Sequence, residues 1–229
     1  MKLRRIQRER AVDAVYDVLQ RAIVSYSIRP GTRLNIEELA EKLGVSLTPV
    51  RNAIQQLATE GLVEIRPRSG TFVATLTVQD VEETFKIRCA LECLAAESAV
   101  ENLSSNDIRL MRELLQSLRK PVPDDDARQI HERDNGRFHQ MLVEASKNRR
   151  LIEMYEALNA HIKIARIHAS DSKWQSRLQN ERKEHETIMA AIERHRPAEL
   201  QKALRKHIYG AKDHLVLALY EREKQMAAS

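Results

Sequence analysis

Asn135, His139, His185 and His207 are the residues whose types and spacing offer the most chemistry in this chain. Neutral imidazoles on separate elements are common ligands of transition-metal ions, and an amide oxygen one helical turn before a histidine can serve as a further donor. A single inward histidine is more simply a hydrogen-bonded core residue. Three facing one interior point instead to a divalent metal of the zinc, nickel or manganese class. His214 follows His207 by one heptad and can line the same cavity. Arg88 lies close to an apolar stripe between Phe85 and Leu91, where an unpaired charge is costly, so it needs a carboxylate. Glu92, four residues on, can supply one as an ion pair, and a bound anion can supply one equally well. A metal-dependent hydrolase would need a general base aimed at a bound water, and the spacing shows no inward Asp or Glu beside the histidines. The chain therefore does not read as an enzyme.

The elements that must position these groups are helices. Residues 78–222 hold few glycines and no strand pattern, and read as about six helices broken near Asn102–Ser105, Lys120–Asp126, Lys147–Asn148, Ser170–Lys173 and His195–Pro197. On the helix from about Ala127 to Ser146, Ile130, Phe138, Leu142 and Ala145 form an apolar stripe beside Asn135 and His139. His185 shares a face with Leu178, Ile188, Met189 and Ile192, and His207 lies among Leu200, Ala203, Leu204, Ala211 and Leu215. The run Asp124 to Asp126 reads as a solvated loop, and a short hinge around Leu76 and Thr77 precedes the bundle.

The first 76 residues follow a different plan. Asn35 suits the N-cap of a short helix carrying Leu39, Ala40 and Leu43, and Gly44 suits its left-handed end. Thr48 and Pro49 open a second helix with Val50, Ala53, Ile54 and Leu57 on one side, ending near Gly61. Val63 and Ile65 alternate with polar residues, Pro67-Arg68-Ser69-Gly70 is turn chemistry, and Phe72 and Val73 resume an extended pattern. Helix, turn, helix and a β-hairpin wing place the N-terminal end of the second helix against the major groove of double-stranded DNA. Ser46, Leu47, Thr48 and Arg51 occupy that end; Arg51 can read guanine through a bidentate contact, and Arg33, Arg66, Arg68 and Gly70 serve the phosphates and the wing.

Composition fits this division. The net charge of +5 is concentrated in residues 1–76, which hold 12 Lys and Arg against 8 Asp and Glu. The basic run from Met1 to Arg10 lacks the apolar core of a secretory signal and can act as an arm along a DNA backbone. No stretch approaches a membrane span. Two cysteines, Cys89 and Cys93, lie one helical turn apart, a spacing unsuited to a disulfide and consistent with a reducing cytoplasm.

The run Pro30, Gly31, Leu34, Leu39, Ala40, Leu43, Gly44, Val45, Ser46, Thr48, Pro49, Val50, Arg51, Ala53, Leu57, Glu60, Gly61, Leu62, Val63, Pro67, Gly70 resembles the winged helix of the GntR family of bacterial transcriptional regulators. Leu47 departs from the arginine usual in that turn, which implies an apolar contact there, such as to a thymine methyl. The helical half resembles the FCD effector domain of the FadR-like branch. That resemblance implies Asn135, His139, His185 and His207 as metal ligands, with Asn135 where an Asp is usual, and Arg88 as partner of an effector carboxylate. An amide ligand brings no charge, so the ion stays electropositive and has a strong reason to take an anion. The implied whole is a mainly α-helical chain: a winged helix over residues 1–76 and a helical effector-binding and dimerisation domain over 77–229. It implies a cytoplasmic bacterial homodimer that binds a pseudo-palindromic operator and acts as a repressor released by a carboxylate. A protein that merely binds DNA through a structural helical dimerisation domain is the competing reading.

Overall fold

The computed structural model describes residues 9–24, 27–75, 77–168 and 174–227. The basic arm before residue 9, Leu76 of the hinge and the break at 170–173 lie outside the described residues. Two compact units divide the chain: Met1–Thr77 with Lys163–His168, and Val78–Ile162 with Ala169–Ser229.

The first unit contains α1 (Glu9–Val24), β1 (Arg33–Leu34), α2 (Ile36–Leu43), α3 (Leu47–Thr59), β2 (Val63–Arg66) and β3 (Gly70–Val73). The Asn35 side chain accepts from the backbone N–H groups of Glu37 and Glu38, satisfying two of the donors that every helix start leaves open. Gly44 closes α2 at φ 65°, the left-handed conformation that a side chain would strain. The next start differs from the sequence reading. Ser46 rather than Thr48 occupies the N-cap position, and its side chain makes no cap hydrogen bond. Pro49 is thereby the third residue of α3, still within the first turn, where no intrahelical N–H partner is lost.

The strands form one antiparallel sheet in the order β1-β3-β2, with Val63 opposite Val73, Arg66 opposite Gly70 and Arg33 opposite Phe72. The core is apolar: Val15, Leu19 and Ile23 of α1 pack with Val50, Ala53, Ile54 and Leu57 of α3 and with Leu34, Val63 and Val73 of the sheet. Tyr16 ties α1 to the end of α3 by donating to Glu60 Oε2 at 2.7 Å.

The second unit is helical: α4 (Val78–Asn102), α5 (Ser105–Leu118), α6 (Asp125–Ala145), α7 (Arg149–His168, of which Lys163–His168 group with the first unit), α8 (Trp174–Glu193) and α9 (Pro197–Ala227). These are the expected six elements. α4 packs on α6 and α9, α8 packs on α9, and α5 packs on α6 and α8. Leu91, Ala95, Val143, Leu151 and Tyr155 join α4, α6 and α7 in one cluster. Asp124 is a cap, not loop: it accepts from Ala127 N–H at 2.8 Å, and α6 begins at Asp125. Ile130 is 47% exposed and leaves the predicted stripe, because α6 turns His131, Asp134 and Asn135 inward in its place. Cys89 and Cys93 are buried free thiols with sulfurs 4.0 Å apart. No helix among the described residues is long and apolar enough to cross a membrane.

Candidate nucleic-acid interface and metal centre

At the head of α3, Ser46, Leu47, Thr48 and Arg51 are all exposed, Leu47 to 39% despite its apolar side chain. They stand out because Val50, Ala53, Ile54 and Leu57 take the inward positions of the same helix. The Arg51 guanidinium has no hydrogen-bond or ion-pair partner among the described residues, so it stands free to meet an incoming group. On the wing, Arg66 is held by Glu64 at 2.7 Å and lies over the Phe72 ring at 4.7 Å, whereas Arg68 stands at the turn with φ 63°. Gly70 adopts φ 123°, and a Cβ there would come within 2.9 Å of Arg33 Nε. The glycine thus keeps the edge of the wing open for the Arg33 side chain.

In the helical unit, α6, α8 and α9 each turn one fully buried imidazole inward, and the donor atoms of His139, His185 and His207 lie within 4.8 Å of one another. Which nitrogen each ring offers follows from its other neighbour. His139 Nδ1 faces Glu92 Oε2 at 2.7 Å, His207 Nδ1 faces Glu184 Oε2 at 3.0 Å, and His185 Nδ1 faces the Glu181 backbone oxygen at 2.9 Å. Oxygens of this kind accept, so each Nδ1 carries the hydrogen, and each ring when neutral presents a bare Nε2. His139 Nε2 and His207 Nε2 are 3.1 Å apart. Asn135 Nδ2 donates to Glu181 Oε1 at 2.8 Å, which leaves Asn135 Oδ1 facing His185 Nε2 at 3.2 Å. Four acceptor atoms therefore converge, and lone pairs at such distances repel unless a cation stands among them. A proton would satisfy one pair of these atoms; a divalent ion satisfies all of them.

Burial first, and then the neighbouring His207, hold His185 well below the usual histidine range. Burial and then His139 do the same for His207. Both rings stay neutral near pH 7, the form that coordinates a metal. Phe138 packs edge-on against the rings of His139 and His185 and fills the side of the cluster.

Arg88 is buried on α4, with Nε donating to Glu92 Oε1 at 2.7 Å. Burial alone would raise the Glu92 carboxyl, but His139 and Arg88 together hold it well below the usual range. Tyr155 also donates to Glu92 Oε1, at 3.0 Å. Arg88 Nη1 is buried without a hydrogen-bond partner among the described residues. The ion pair and an open donor thus coexist on one guanidinium.

Asn135, His139, His185 and His207 come together as the sequence implied, with Arg88 one carboxylate away from His139. His214, read from the sequence as lining the effector cavity, is partly exposed and stands outside the three-histidine group. The expectation of no inward acid is overturned: Glu92 is fully buried, Glu181 is buried, and Glu184 bridges His207 and Arg177. These carboxylates address the Nδ1 side or the amide nitrogen rather than the convergent donors. Glu181 was legible as the residue one turn before His185 on the same face of α8; Glu92 was legible only as a partner for Arg88.

Two family models cover most of the chain. Residues 11–73 match the gntR family of bacterial regulatory proteins, and residues 83–210 match the FCD domain. The chain belongs to the gntR family. A regulator from Bacillus subtilis, YdhC, is 33% identical over 152 residues, spanning 66% of this chain and 68% of that protein. The transcriptional repressor RspR of Escherichia coli is 27% identical over 194 residues, spanning 85% and 84%. The solved structure of E. coli McbR/YncC superposes with a TM-score of 0.69 at 25% identity, covering 93% of this chain and 98% of that one. As a gntR regulator with an FCD domain, the chain is a DNA-binding transcriptional regulator and not an enzyme. FCD domains can bind metal, and the three histidines are a group able to hold one.

Proposed function

We propose that this regulator is a homodimeric repressor whose operator binding responds to a small organic carboxylate held at a divalent metal in the helical domain. Residues 1–76 read the DNA, and residues 77–229 bind the effector and join the subunits. Convergence of three bare imidazole nitrogens and the Asn135 oxygen on one buried point carries this reading. His139, His185, His207 and Asn135 hold the ion, which serves as a Lewis acid for an anionic ligand. The set contributes no negative charge, so the ion keeps its full attraction for a carboxylate. Arg88 Nη1 supplies the second anchor, while Glu92 retains Nε. The name of RspR supports repression as the sign of control. Each subunit places Arg51, with Ser46, Leu47 and Thr48, in one half-site of a pseudo-palindrome, and Arg33, Arg66, Arg68 and Gly70 face the backbone. The protein acts in the bacterial cytoplasm, where its DNA is.

The test combines metal analysis of the purified protein with operator binding, using an operator selected from random DNA and a panel of organic, sugar and amino-acid carboxylates. One divalent ion per chain is expected, and one class of carboxylate should shift operator affinity by about 5–150-fold, an effect lost on chelation. Absence of metal together with unchanged affinity across the panel would leave a DNA-binding protein with a purely structural helical domain.

A further inference from the structure

Asn135 is the one ligand of the cluster that can offer the metal either an acceptor or an N–H donor by a half-turn of its side chain. An amide carries an acceptor and a donor on the same carbon, and a half-turn about the last bond exchanges them. With Nδ2 towards the histidines, the group would oppose a metal instead of binding it. We propose that Glu181 is the positioning residue that turns the Asn135 oxygen towards the metal and supplies, from behind the ligand, the negative charge that the ligand set lacks. The proposal rests on the metal reading above and deepens it.

Three contacts of Glu181 carry the argument. Its Oε1 accepts from Asn135 Nδ2 at 2.8 Å, and the same oxygen lies 3.2 Å from His131 Nε2. Its backbone oxygen lies 2.9 Å from His185 Nδ1. One residue of α8 therefore orients two of the four donors, the amide through its side chain and the imidazole through its main chain. A carboxylate only accepts, so it selects the amide nitrogen and leaves Oδ1 to face His185 Nε2. Asn135 is buried and so is Glu181, so water does not compete for either group.

The same geometry gives a reason for an amide at this position. An Asp at 135 would set two carboxylates at the 2.8 Å now spanned by a hydrogen bond, a like-charge contact that a buried site resists. Asn135 and Glu181 thus act as a matched pair, with the charge on the outer member. The pair tunes the ion towards weaker protein binding and stronger attraction for an anion, because the ligand itself neutralises nothing.

The experiment uses the full chain, stripped of metal by a chelator, with nickel and zinc as probes in calorimetric titrations of the parent, Glu181→Gln and Asn135→Asp/Glu181→Gln. Outer-shell carboxylates of metal ligands are worth about 10–100-fold in affinity, and Glu181→Gln is expected to weaken binding by that factor. The double variant restores the donor-to-acceptor pairing with the charge moved onto the ligand, so its affinity should return to within about threefold of the parent or better. A Glu181→Gln affinity within about twofold of the parent, or a double variant no better than Glu181→Gln, overturns the proposal.

A second measurement needs neither a variant nor a metal. In the metal-free parent, the Asn135 side-chain amide protons should exchange slowly by nuclear magnetic resonance; exchange as fast as an exposed asparagine overturns the orientation argued here. A parent that binds no metal overturns the reading on which the proposal stands, and the proposal with it. Binding by the parent with an insensitive Glu181→Gln overturns the proposal alone.

Discussion

The two units keep their chemistry on opposite sides of their surfaces. Among the described residues of the first unit, Thr71 is the sole buried polar side chain, and the groups proposed to meet DNA stand exposed on an apolar core. The helical unit buries Arg88, Glu92, His131, Asp134, Asn135, His139, Glu181, His185 and His207. A reading head can afford exposed groups because its ligand is a large polyanion that comes to the surface. A site that surrounds a small molecule must satisfy most of its buried donors and acceptors from within, leaving few open, such as Arg88 Nη1. Activity and stability should separate in the first unit and be entangled in the second.

The sharpest way to break this contrast is to remove Glu92. Glu92→Leu strands both the Arg88 cation and His139, and stability should fall by about 3–5 kcal/mol in urea denaturation. The double variant Arg88→Met/Glu92→Leu, which removes both charges of the pair, should lose clearly less. Equal losses would mean that the pair matters as packing rather than as compensated charge. At the other pole, Arg51→Ala should cost about 1–3 kcal/mol of operator preference while non-specific, salt-dependent binding survives. Its unfolding free energy should change by no more than about 0.5 kcal/mol, since the side chain is exposed. A larger stability loss would show that Arg51 belongs to the scaffold.

The smallest expected effect is a pH slope. His185 and His207 are held below their unfolded value by burial and by neighbouring histidines. On acidification the unfolded chain takes up protons that these folded rings refuse. Their contribution is therefore complete above about pH 6.5 and is lost as pH falls below it, by at most about 1.4 kcal/mol per pH unit for each ring. Urea denaturation of metal-free protein between pH 7.5 and 5.5 measures the slope. A flat profile would mean that the cluster admits a proton as readily as solvent does, and the contrast between the two units would soften.

Legibility in the sequence follows the same line. Asn35 and Gly44 were readable because caps act on backbone groups within a few residues. The start of α3 was misread by two residues because Ser46, Thr48 and Pro49 all carry helix-start chemistry, and only the backbone at Ser46 decides among them. α1 was passed over, only the basic run up to Arg10 being remarked, although Val15, Leu19 and Ile23 recur every fourth residue and sit in the core. β1 is two residues long and exists through its pairing with β3, a partner far along the chain. In the helical unit the breaks among the described residues were readable, and so were the faces of His139, His185 and His207. Ile130 was misplaced because the inward side of α6 is unusually polar, so apolar periodicity pointed slightly to the wrong side.

The sequence alone determined the local matters: a capped helix-turn-helix with a wing, six amphipathic helices, and three of them turning an imidazole inward. Those are properties of residues within one turn or one strand of each other, where covalent geometry sets the spacing. Only the tertiary structure decided that the three faces meet, that each ring presents Nε2, that Arg88 shares Glu92 with His139, and that the Asn135 oxygen rather than its nitrogen faces the histidines. Most of those choices belong to a hydrogen-bond partner on another helix, and a side chain with two chemically distinct ends has no orientation until its partner is in place.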